Sequence, residues 1–154
     1  MDKIKIILIV AMVIVVGGLG YWLISPLFIT REVHEDIQEL MRIAEPKVIQ
    51  SGTFVGADNF HRATGEVKLL RVGEKYYVRF ENDFTVTNGP DLFIHFGKDG
   101  QYAAAARISD LKGNVGSQNY AVPADINPLE YNELWIWCRA FSVPFGTAKL
   151  INSR

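Results

Sequence analysis

The chain has 154 residues, 49% of them hydrophobic, which is enough for one ordinary core and an appendage but not for two sizeable cores. With 16 basic and 17 acidic residues the net charge is −1, so nothing is left over to neutralise a phosphate backbone, and nucleic acid is not an expected partner. A lone cysteine excludes an internal disulfide, and 12% aromatic content with 13 glycines suits a β-rich domain better than a helical bundle.

Residues 6–29, IILIVAMVIVVGGLGYWLISPLFI, carry no ionisable side chain except Tyr21 over 24 positions. At a rise of about 1.5 Å per residue such a run crosses a hydrocarbon core of about 30 Å. It is longer than the roughly 7–15 residues of a signal-peptide core, and no small-x-small site precedes a polar start, so residues 1–29 are expected to form an uncleaved anchor in the lipid bilayer. Lys3 and Lys5 precede the run, and Arg31 with its acidic neighbours follows it. That asymmetry predicts a single-pass protein of the cell membrane with a cytoplasmic N-terminus and the remainder outside. Tyr21 and Trp22 fit an interfacial aromatic belt, and Pro26 marks a kink or the end of the helix.

Residues 30–50 read as a connector. Val33, Ile37, Leu40 and Met41 recur at helical spacing, Thr30 can serve as N-cap, Glu32 and Glu35 fall in the first turn, and Pro46 ends the segment. A short amphipathic helix is expected there.

From Ser51 the pattern changes to short runs of alternating apolar residues: SGTFVG, GEVKLLRVG, KYYVRFEN, FTVTNGPDLFIHFG, YAAAARIS, NYAVP, ELWIWCRAFSVPF and GTAKLI. Gly73 and Glu74 mark a hairpin, and Asn88, Gly89 and Pro90 force a turn before the apolar LFIHF. Residues 51–154 therefore predict a mainly β domain, an antiparallel β-sandwich of about seven or eight strands.

Three marks recur in order along this domain: H-x-x-x-G at His61 and Gly65, NGPD at residues 88–91, and an aromatic-Cys pair followed by F-x-x-x-FG at residues 137–146. In this order and spacing the last 100 or so residues resemble the DM thirteen domain family, an electron-transfer domain related to the DOMON β-sandwich group. The resemblance implies a β-sandwich in which the cysteine, here Cys138, is a proposed redox residue. It does not extend to the anchor.

If residues 133–141 are one strand, Leu134, Ile136, Cys138 and Ala140 point to one face while Trp135, Trp137, Arg139 and Phe141 point to the other. Both faces are then largely apolar, so the second needs a cover from a loop, the connector, a partner or a bound aromatic group. A redox role for Cys138 requires a stabilised thiolate. Arg139 points away from it, which leaves His61 as the candidate thiol partner. The other reading makes Cys138 a small core residue and the chain a non-catalytic binding or assembly module, with Trp135, Trp137, Phe141 and Asp91 as candidate binding residues. His61, His95 and Cys138 are the right types for copper but lack ligand-pair spacing, so no metal site is expected and no cofactor is identified. No nucleophile elbow, phosphate loop or zinc-protease pattern occurs, which favours a redox or binding domain with a protein partner over a turnover enzyme.

Overall fold

The computed structural model describes residues 2–25 and 28–153. Pro26, read above as a kink or helix end, lies outside the described residues, as does the side chain of Trp22 in the expected aromatic belt. Helix α1, Lys3–Ile24, contains one window, Lys3–Tyr21, long and apolar enough to cross a membrane. None of that window is buried against the rest of the chain.

The remainder is mainly β. Its strands are β1 (Lys47–Gly56), β2 (Ala63–Thr64), β3 (Glu66–Val72), β4 (Lys75–Phe80), β5 (Thr85–Val86), β6 (Leu92–Lys98), β7 (Gln101–Asp110), β8 (Gln118–Ala121), β9 (Glu133–Cys138), β10 (Val143–Lys149) and β11 (Ile151–Asn152). The pairing order is β7-β6-β9-β10-β1-β3-β4-β8, with β11 beside β1 and a separate β2-β5 ribbon. All these strand pairs are antiparallel. The long first strand joins two halves of the sheet: its first part pairs with β3, while Phe54, Val55 and Gly56 pair with β10. The sheet curls there so that alternate residues of the two halves meet. Val67, Leu69, Val78 and Phe80 from one half share a core with Ile94, Phe96, Leu134 and Ile136 from the other. Period-two alternation produces this directly, because one face of each strand can be apolar only if another apolar face covers it.

Two local expectations are corrected. The connector is helical for only one turn, α2 (Gln38–Met41), whose Leu40 packs on Leu70 and Val72. Before it the chain runs extended beside residues 115–117, which lead into β8: Val33 N donates to Val115 O and Glu35 N to Ser117 O, both at 2.9 Å. The Glu35 carboxylate accepts from Lys112 Nζ and Asn119 N, each at 2.7 Å. Pairing with the open backbone of residues 114–117 and capping Asn119 N of β8 outweigh the modest helical propensity of residues 30–36, and Thr30 is not an N-cap. The second correction concerns residues 133–145, which form a hairpin and not one strand. Strand β9 stops at Cys138, the turn holds Ser142 at φ 54°, and β10 begins at Val143.

Candidate functional site

The three marks separated in sequence meet at one end of the domain. Strand β1 finishes there, β6 starts there, and the β9–β10 turn lies between them, because Gly56 pairs with Gly146 and Leu92 with Cys138. Gly89 of NGPD leaves no room for a side chain: a Cβ would come within 2.8 Å of both Leu92 and the Phe145 ring. His61 sits on the same Phe145 ring, edge-on with centroids 4.6 Å apart. Asp91 binds the turn after Cys138 twice, its carbonyl accepting from Arg139 N at 3.0 Å and its carboxylate from Arg139 Nε at 2.8 Å. These residues shape the end of the fold.

His61 is held by a neighbour that the sequence reading overlooked. One Asp58 oxygen accepts from the Phe60 and His61 amides, both at 2.7 Å, and the other lies 2.7 Å from His61 Nδ1. The overlooked signal was the D-x-x-H spacing, which is that of a carboxylate folding back on its own turn. The bonded His61 side chain, then its amide and that of Phe60, hold the Asp58 carboxyl down at about 2 against an ordinary 3.8. A carboxyl depressed on folding stabilises its loop above its unfolded value and loses that effect as pH falls through the folded one. Protection of the Phe60 and His61 amides, measured against their intrinsic exchange rates, is therefore expected to hold down to pH 4 and fall between about pH 3.8 and 2, whereas Asp58→Ala, which has no acceptor, should lose it throughout. Unchanged protection in Asp58→Ala would contradict this account of the loop.

Cys138 lies on the inner face. It is 0% exposed, its cross-strand neighbours are Leu92 and Val143, and among the described residues no cation or side-chain hydrogen bond reaches its sulfur. His61 Nδ1 is engaged with Asp58 and not with the thiol. His95 is directed to the opposite face of the β6–β9 pair, so His61, His95 and Cys138 do not converge, and among the described residues no group of three potential metal ligands forms.

The outer face of β6, β7 and β9 carries a different cluster. Trp135 and Trp137 alternate outward as expected, but Phe141 leaves them for the turn. Tyr102, from the edge strand β7, covers the tryptophans: its ring stacks on Trp137 at 4.3 Å and 18° and meets Trp135 at 6.3 Å. Its hydroxyl lies 3.1 Å from His95 Nε2, while His95 Nδ1 lies 3.4 Å from the Ala103 carbonyl. Burial lowers the affinity of His95 for a proton, with Arg107 adding to the effect and the Ala103 carbonyl opposing it. Burial also pushes the Tyr102 hydroxyl up, with Arg107 opposing. A carbonyl can only accept, so neutral His95 donates from Nδ1 to Ala103 and accepts the Tyr102 hydroxyl proton at Nε2. Arg107 and Arg139 lie over Phe93 beside this group, at 4.0 and 4.8 Å from its centroid. The sequence reading did not single out Tyr102, and it weighed His95 only as a metal-ligand type. The available signal was YAAAA, one large ring before four alanines too small to cover the neighbouring aromatics.

A family model described as electron transfer DM13 matches residues 53–150. No curated protein and no solved structure matches the chain.

Proposed function

The chain belongs to the electron transfer DM13 family, and from that membership we propose a membrane-anchored electron-transfer domain whose working surface is the outer aromatic face and not the thiol. In this reading α1 is the anchor, the N-terminus is cytoplasmic, and the domain meets a protein redox partner outside the cytoplasm. The observation that carries it is the half-buried Tyr102–Trp137 stack with the Tyr102 hydroxyl on His95. When the partner, a one-electron oxidant, takes an electron from Tyr102, the phenol proton passes to His95 Nε2, leaving a neutral tyrosyl and an imidazolium. A donor returning one electron reverses both transfers. A neutral imidazole at Nε2 is what makes such a step balanced, since it has an open lone pair for the proton. Cys138 acts in this reading as a core residue, as a buried free cysteine commonly does.

The test is flash oxidation of the full chain in lipid nanodiscs by a ruthenium tris-bipyridyl photo-oxidant, followed by transient absorption of tyrosyl and tryptophanyl radicals. Tyr102→Phe is expected to remove the major tyrosyl signal, Trp137→Leu to slow its appearance several-fold, and Cys138→Ala to change neither. His95→Gln, which cannot take the proton, is expected to slow tyrosyl formation while leaving tryptophan oxidation intact. Loss of the signal in Cys138→Ala with an unchanged Tyr102→Phe would return the chemistry to the thiol.

A further inference from the structure

The end of the domain where the three marks meet also carries exposed aromatic tips that no packing explains. Phe60 is 83% exposed in the loop after β1, and Phe141 is 58% exposed in the β9–β10 turn. Val55, the second-last residue of β1, is exposed as well. Each aromatic is flanked by arginine: Arg62 follows Phe60 by two residues and Arg139 precedes Phe141 by two. Single exposed apolar residues are ordinary on a protein surface, so exposure alone decides nothing. Their location relative to the anchor does.

The chain reaches this same end when it leaves α1. Thr30 Oγ1 lies 3.4 Å from Asn88 Nδ2, Arg31 N donates to Asn114 Oδ1 at 3.2 Å, and Asn114 N donates to Arg31 O at 2.7 Å. Residues 25–29 alone separate the last residue of α1 from Thr30. Fully stretched, that connection spans roughly 20 Å. Phe28 and Ile29 within it are themselves exposed. The loop that holds Thr30 is bonded in turn to both aromatic tips' loops: Thr87 N donates to Arg62 O at 2.9 Å, and Arg139 N donates to Asp91 O at 3.0 Å. Phe60 and Phe141 thus stand two residues from rungs on the loop to which the tether is tied.

We propose that Phe60 and Phe141 insert into the lipid interface, so that the domain sits on the membrane on this end and does not swing freely above it. This rests on the reading of α1 as a membrane anchor. Aromatic rings favour the interfacial zone, and an arginine near each ring suits the lipid phosphates: Arg62 has no acidic partner among the described residues, and Arg139, although paired with Asp91, keeps its side chain 70% exposed. The short tether keeps the local lipid concentration high, so two weakly inserting rings suffice. Seating on this end leaves the Tyr102–Trp137 face, on the outer side of β6, β7 and β9, at the flank of the domain and open to a partner.

The experiment uses the full chain with Cys138→Ala as background, reconstituted in vesicles of phosphatidylcholine with a minority of phosphatidylglycerol. Single spin labels are placed by Phe60→Cys, Phe141→Cys, Leu129→Cys and Val13→Cys, and collision rates with oxygen and with a water-soluble nickel chelate are compared. Leu129 is an exposed apolar residue in the segment just before β9, whose first residue, Glu133, pairs with Gly97 far from the β9–β10 turn. Labels at 60, 141 and 13 are expected to favour oxygen over nickel at least several-fold relative to 129. Nickel access at 60 and 141 equal to that at 129, with 13 in lipid, would overturn the seating and leave the anchor standing. A nickel-accessible label at 13 would overturn the anchor and the seating with it. Shielding of 60 and 141 from both reagents would mean that a second copy covers them, which also overturns the proposal.

Discussion

Phe80→Ala is expected to destabilise the domain by about 3–5 kcal/mol, the range for removing a fully buried aromatic ring. Phe80 closes β4 with no exposure and touches three other rings: Phe54 edge-on at 5.2 Å, Phe84 at 4.4 Å and Tyr120 at 5.3 Å. Phe54 is the first β1 residue paired with β10, so Phe80 packs against the point where the sheet passes from one half to the other. Its loss leaves a void that neighbouring strands, fixed by their ladders, cannot close, and it removes aromatic pair contacts worth about 0.5–1.5 kcal/mol each beyond area burial. Domains of this size are stable by only about 5–15 kcal/mol, and a loss of 1 kcal/mol lowers the melting temperature of a 60–100-residue domain by about 4–8 °C. A thermal melt of the full chain in detergent micelles, followed by near-ultraviolet circular dichroism, should therefore shift down by about 12 °C or more. A shift below about 4 °C would mean that this junction is not part of the core's cooperative unit.

Gly65→Ala is expected to cost about 3 kcal/mol or more, the sum of a strained backbone and an unrelieved collision. Gly65 has φ 106°, a conformation that a side chain penalises wherever it occurs. An added Cβ would also meet Asp83 O and Phe84 N at 2.7 Å. Those atoms are backbone, so no rotamer change makes room. The collision would part β2 from β5, whose rungs join Ala63 to Val86 and Thr64 to Thr85, and with it loosen the His61 loop. The expected signature is a lowered melting temperature together with faster exchange of the Phe60 and His61 amides. A variant that loses stability without that local change would place the strain elsewhere.

Much of this architecture is legible in the order of the amino acids. The hairpin at Gly73 and Glu74 is present, with Gly73 at φ 61° and Val72 paired with Lys75. Leu134, Ile136 and Cys138 face inward and the tryptophans outward, as alternation requires. Misreadings fell where a local signal competed with a distant partner. Residues 30–36 have helical spacing but lie extended because residues 114–117, just before β8, offer open backbone groups to pair with. Residues 139–142 look like strand but turn, because Asp91, nearly 50 positions earlier, holds Arg139 by two bonds.

By itself the sequence determined the apolar helix, the β class and which side of each strand is apolar, since these depend on residues within a few positions of one another. Only the tertiary structure decided that His61, Gly89 and Phe145 pack together, that Cys138 is sealed between Leu92 and Val143, and that Tyr102 covers the tryptophans with its hydroxyl on His95 Nε2. The reason is strand order. Neighbours in the curled sheet are chosen by how complete faces and edges fit across the whole domain, and no local pattern at residue 61, 102 or 138 records which distant strand will lie beside it.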